Sequence, residues 1–270
     1  MKSSHEVQSQ NGLKVQPTSQ IQLIPEKVIR FFIFTIVGLG CAHLGGQFTK
    51  YILGYGSLKG LIPLFDLDRE ANIPSLYSGL ALLLCGVVLS MIAIVKKQQR
   101  DRYCRHWQGL AIIFAYLGVD EMAEIHELTG KPLRDLFNAT GIFYFTWVIL
   151  GFALVAAFIL VYRKFTFALP PQTRKRFILA ACLYLAGALG TELIGGYIAY
   201  TSEKQSLLYA MFVAVEEVLE MSGIAIFLYA LLTYLRSQVS NITIHLGHSF
   251  NSEQPSLSVP EGTKQQQANP

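Results

Sequence analysis

Residues Val215–Leu235 read VEEVLEMSGIAIFLYALLTYL. After Glu220 the run MSGIAIFLYALLTYL holds no charge, and a mostly apolar LLYAMFVAV leads into the three glutamates. A helix needs about 20 apolar residues, at 1.5 Å rise each, to cross a bilayer's hydrocarbon core. Leu207–Leu235 meets that length. It does so with carboxylates in its interior, where an ionised group costs roughly 2.5–3.5 kcal/mol on insertion scales.

Outward from this segment the same texture repeats. The 270-residue chain is 52% hydrophobic and only 15% charged, well below the quarter or so usual in soluble domains. Apolar periodic runs predict six spans, at Val28–Gln47, Ile73–Val95, His106–Glu127, Thr140–Tyr162, Phe177–Thr201 and Leu207–Leu235. The fold class expected is an all-α, polytopic helical membrane bundle.

Basic residues set the expected orientation. Lys96, Lys97, Arg100, Arg102 and Arg105 lie between the second and third spans, and Arg163, Lys164, Arg174, Lys175 and Arg176 between the fourth and fifth. Lys27 and Arg30 open the first span and Arg236 follows the last. All fall on one side of a six-span chain, so both termini are expected to be cytoplasmic. The formal net charge of +4 then reflects topology, and nucleic acid is not an expected partner.

Residues 1–26 and 237–270 are rich in Ser, Gln, Asn and Pro and are expected to be disordered tails around one transmembrane domain, 27–236. The N-terminal tail is too polar for a secretory signal, so the first span is expected to act as an uncleaved anchor. The expected location is a bacterial inner membrane or an internal membrane derived from it. Cys41, Cys85, Cys104 and Cys182 show no CxxC spacing, which points away from a disulfide framework or a thiolate metal knuckle.

The glutamates of VEEVLE have an echo. Val119–Glu124 reads VDEMAE, so both segments follow V-[DE]-E-x-x-E. Glu192 in LGTELIGG adds a carboxylate to the fifth span. At about 100° per residue, Asp120, Glu124 and Glu127 are expected on one helix face, and Glu216 and Glu220 on another. Glu192 stands among Ala188, Gly195 and Ala199, small residues that let helices approach closely. Glu121, Glu217 and Tyr116 are expected to support these faces from behind. His126 is expected to point away from Asp120. His126 and His43, the latter one turn from Gln47 in the first span, are candidate additional ligands.

No Lys or Arg lies between Arg105 and Lys131, between Arg176 and Lys204, or between Lys204 and Arg236. Buried carboxylates without basic neighbours need protons or bound cations as counter-charge. Oxygen ligands suit Mg²⁺ or Mn²⁺, and an added His extends the set to Fe²⁺ or Zn²⁺. Sharper motifs are broken. His126-Glu127 begins HExxH, but Gly130 stands at the second His, and Ala123 stands where a di-iron ExxH would need Glu. The leading expectation is an acidic intramembrane site that binds protons or a divalent cation for transport or exchange. The repeated motif fits a three-plus-three inverted architecture. Two alternatives are a membrane-embedded metal-dependent enzyme acting on a lipid or isoprenoid and a non-catalytic assembly factor.

Overall fold

The computed structural model describes residues 24–69, 71–126, 128, 132–133, 135–136, 140–201 and 206–238. Among these there is no strand, and Ile21–Ser240 forms one compact unit. The main helices are α1 (Pro25–Tyr51), α2 (Ile73–Gln98), α3 (Cys104–Ala123), α4 (Trp147–Ala168), α5 (Pro171–Leu185), α6 (Glu192–Thr201) and α7 (Leu207–Gln238). A π-helical segment, Ala186–Thr191, joins α5 to α6. The tails beyond Ile24 and Gln238 lie outside the described residues, as do Glu127, Lys131, Arg134 and Lys204.

Five stretches are long and apolar enough to cross a membrane: α1, α2, α4, Pro171–Ile198 and α7. The third expected span is the exception. It is a helix, but it opens on CRHWQ and closes on DEMA, leaving too short an apolar middle to join the other five. The fourth span begins at Trp147 instead of Thr140, because Gly141 takes a left-handed φ of 63° and Gly141–Phe143 makes a 3-10 turn. The fifth begins at Pro171 instead of Phe177, since a proline in the first turn is preorganised for helix.

Glycine contacts set the closest approaches. A Cβ on Gly79 of α2 would lie 2.9 Å from the Gly118 carbonyl oxygen of α3, and one on Gly118 would lie 2.8 Å from that of Gly79. α2 and α3 therefore meet backbone to backbone, as small-residue pairs in lipid allow. Gly223 does the same for α7 against α5. α7 is the centre of the bundle, with Leu228, Leu231 and Leu235 almost wholly buried.

Aromatic pairs fix the register of α3 on α7. Trp107 stacks on Tyr234 with centroids 5.1 Å apart, and Phe114 stacks on Phe227 at 4.6 Å. Each step moves seven residues along both helices in opposite directions, two turns at a time. The next step pairs Glu121 with Glu220. On α5, Phe177 meets Phe227 at 4.7 Å, and the same two-turn step sets Tyr184 beside Glu220.

At the other end of α7, the connection between α1 and α2 folds back over the bundle. His43 is buried; its Nδ1 accepts the Leu67 N–H at 2.9 Å and its Nε2 lies 3.2 Å from the Ala210 carbonyl oxygen. His43 Nδ1 also lies 3.3 Å from Asp66 Oδ1. Gln47 donates to Asp66 Oδ1 at 2.8 Å, and Asn72 donates to the Asp66 carbonyl at 2.6 Å while capping α2 through Ser75.

Burial pushes the Asp66 carboxyl up, but the His43 ring, the Asp68 N–H and the Lys50 charge together hold it below its ordinary 3.8. A carboxyl so depressed stabilises the fold above that ordinary value, and the contribution is lost as pH falls through the folded one. His43→Leu removes the chief pull and leaves the Leu67 N–H without its acceptor, at about 1–3 kcal/mol. The expected result is a lower unfolding temperature at neutral pH and a flatter loss of stability below about pH 4. Thermal unfolding in detergent across that range checks both.

Candidate functional site: a half-buried carboxyl cluster

The cluster is built on α7. Glu216, Glu217 and Glu220 occupy adjacent turns of a helix buried on several sides. Gly187, in the π-helical segment, makes room for them. A Cβ there would lie 2.6 Å from Glu220 Cγ and 2.8 Å from the Glu216 carbonyl oxygen. Only a glycine lets the two backbones come this close.

Glu192 stands one residue past the π-helical segment. A π-bulge widens one turn by about one residue, which rotates the next turns of the helix by about 100°. In that setting the Glu192 carboxyl approaches the Glu216 carboxyl, within reach of a shared proton. Glu192 Oε1 also accepts the Trp147 indole N–H at 3.0 Å. Trp147 opens α4, so three elements converge on this carboxyl. A hydrogen bond between two carboxyl groups requires a proton on one of them, since carboxylates have no donor.

Glu121 comes in from α3, as the aromatic register requires. It lies within electrostatic reach of Glu220, as do Glu216, Glu217 and Glu192. The half-buried Tyr184 ring lies within electrostatic reach of Glu220, Glu121, Glu217 and Asp120. Glu121 and Glu217, expected to stand behind, are members of the cluster proper.

The far end of α3 departs from the sequence-based expectation in two ways. The helix stops at Ala123, and Glu124 takes a left-handed conformation (φ 55°, ψ 31°) with its N–H on the Asp120 carbonyl. Asp120 and Glu124 therefore do not share a helix face, because the helix would have to continue past Ala123 for that. Glu127 itself lies outside the described residues. The turn also brings His126 back onto Asp120, where a continuous helix would place it opposite. Asp120 Oδ1 accepts the His126 N–H at 2.9 Å, and Oδ2 lies 3.1 Å from the ring Nδ1. The His126 ring then rests 5.0 Å from the Trp147 ring. Asp120 and His126 thus brace Trp147, which in turn holds Glu192.

The remaining expected residues fall elsewhere. Tyr116 is exposed, and His43 belongs to the Asp66 network. That network still approaches the cluster through two residues that the sequence pattern did not single out. Tyr209 donates to Asp68 Oδ1 at 3.0 Å, and Asp68 lies within electrostatic reach of Glu216. The signal for Asp66 and Asp68 is DLD followed by N-I-P-S, a capping box with proline in the first turn of α2, which marks a loop folded tightly enough to hold acids. Among the described residues no group of three or more His, Cys, Asp or Glu is arranged to hold a metal ion.

Residues 31–235 match the model of a family described as Domain of unknown function (DUF8692). That range includes every carboxyl residue of the cluster. No curated protein and no solved structure matches the chain.

Proposed function

The chain belongs to the DUF8692 family, and we propose that within this helical membrane bundle the carboxyl cluster carries protons, coupling their movement to transport or exchange of a small cation. The observation that carries the reading is the Glu216–Glu192 pair, contributed by two different helices. A proton holds that pair together. Its removal leaves two like charges in a poorly hydrated place, which a cation arriving from either side would relieve. Facing carboxyls that hold either a proton or a cation are the element an exchanger needs.

Two further features support this reading. The π-helical segment beside the pair is an element of the sort that recurs at functional sites. Asp68 and Tyr209 supply polar groups leading from the α1–α2 connection toward Glu216. In the proposed orientation, the basic end of the bundle faces the cytoplasm.

The test is flux. Purified protein in proteoliposomes loaded with a pH-sensitive dye is given an outward or inward gradient of Na⁺, K⁺, Mg²⁺ or Mn²⁺. The expected result is a pH change with at least one of these ions, absent from protein-free vesicles. Folded protein that moves no protons under any of the gradients would overturn the reading.

A further inference from the structure

Ser78 of α2 is 3% exposed, and its hydroxyl has no hydrogen-bond partner among the described residues. A buried hydroxyl left unpaired is destabilising, so a folded chain that keeps one has a use for it. The usual escape on a helix is a bond back to the carbonyl four residues earlier. Ser90 on the same helix takes it, donating to the Gly86 carbonyl at 2.9 Å, as do Thr191 and Thr233 on theirs. Ser78 does not.

Its neighbours show where it points. Tyr77, one residue before, donates to the Phe32 carbonyl of α1 at 3.4 Å. Gly79, one residue after, meets the backbone of α3 at Gly118. Leu76 and Leu80, on the other side of the helix, are 50% and 53% exposed. Ser78 therefore faces inward between α1 and α3, towards α7, against which both pack. Its level follows from the far end of the same face. Ser78 and Lys96 stand 18 residues apart, about five turns, and so share one side of α2. Lys96 Nζ donates to Gln238 of α7 at 2.8 Å. The two helices run in the same direction, since Tyr209 at the start of α7 meets Asp68 just ahead of α2. An equal step back from Gln238 ends at Glu220. The Gly79–Gly118 contact gives the same level from α3, where Glu121 is one turn beyond Gly118 and within electrostatic reach of Glu220.

We propose that a dehydrated monovalent cation of sodium's size binds between Ser78, Glu121 and Glu220, with the Ser78 hydroxyl oxygen as its neutral ligand. The inference rests on the reading of the cluster as a cation-accepting site and names the ion. Among the described residues no three His, Cys, Asp or Glu are arranged around an ion; a hydroxyl from α2 is the oxygen that completes a set with two carboxyls. Two neighbouring carboxyls retain one proton between them, which leaves a single negative charge for the ion to balance. Mg²⁺ sheds its waters reluctantly. Here the surrounding helices are in backbone contact, at Gly79 with Gly118 and at Gly187 with the turn of Glu220, which suits a small ion that gives up its waters.

The experiment is thermal unfolding of the full chain in detergent, in NaCl, KCl or choline chloride at equal ionic strength. Sodium at several times its dissociation constant is expected to raise the midpoint by about 2–4 °C over choline, and potassium by less. Ser78→Ala removes an unpaired hydroxyl, so its midpoint in choline is expected at or above that of the wild type, with the sodium shift gone. Glu220→Gln is expected to lose the shift as well. Should Ser78→Ala not fold, Ser78→Cys takes its place, with the same loss expected because sulfur is a poor ligand for a hard cation. Equal wild-type midpoints in sodium and choline, an equal shift with potassium, or a sodium shift that survives in the folded Ser78 variant would each overturn the proposal. Proton flux in wild-type vesicles without a sodium shift overturns the ion and leaves the transport reading standing. A sodium shift lost in Ser78→Ala, from protein that moves no protons, keeps the ion site and overturns transport.

Discussion

Gly223→Ala is expected to destabilise the bundle by about 1–3 kcal/mol, among the largest effects of adding one methyl group anywhere in this chain. The new Cβ would lie 2.8 Å from both the Ala180 carbonyl oxygen and the Tyr184 nitrogen, and 2.9 Å from Tyr184 Cβ. Two of those atoms are backbone, so no rotamer change relieves the overlap, and α5 must move off α7. The displacement travels to the cluster, because Tyr184 lines it and Gly187, on the same rod, seats Glu220. Gly38→Ala is the comparison. Nothing lies within 4 Å of its Cβ position on α1, and alanine there gains helix propensity of up to about 1 kcal/mol. Loss of helicity on heating in detergent reads both variants. A Gly223→Ala protein as stable as the wild type would mean that α5 and α7 are not in backbone contact.

The largest functional effect is expected from Glu216→Gln and Glu192→Gln. A glutamine side chain matches glutamate in size and brings a donor of its own, so the contact between α6 and α7 survives without a shared proton. The fold is kept and the titratable site is lost. Proton movement in the flux assay is expected to fall to the level of empty vesicles in either variant. Glu124→Gln is expected to stay near wild type, because that residue ends α3 and does not join the cluster. Wild-type flux in both cluster variants would separate the carboxyl pair from transport.

Several parts of this arrangement were legible in the chain itself. Glu216 and Glu220 stand at i and i+4 within an apolar run, so a shared helix face was the natural expectation, and Glu192 among small residues pointed to close packing. The acidic turn after Val119 misled, because helical periodicity was carried past Ala123. Nothing in M-A-E-I-H forbids a helix. What ends it is the pull of Asp120 on His126 and of Trp147 beneath, a tertiary effect that local pattern does not contain. The echo between VDEMAE and VEEVLE aligned Glu124 with Glu220. The register that matters is set by rings: Trp107, Phe114 and Glu121 on one helix run opposite Tyr234, Phe227 and Glu220 on the other. A seven-residue aromatic spacing shared by two helices is the readable sign of it. The π-helical segment left no such sign, since AGALGT is compatible with an ordinary helix and only its packing against Gly151 of α4 and the glutamates of α7 decides otherwise.

That segment has a consequence for how the site is encoded. Ala186–Thr191 holds about one residue more than a regular helix would place in the same length. Delete that residue and every side chain of the cluster is still present, but Glu192 swings by about 100° away from Glu216. The pairing of the two carboxyls is thus written in the length of the chain between Leu185 and Glu192, and a single-codon deletion there would erase it as completely as replacing the glutamate.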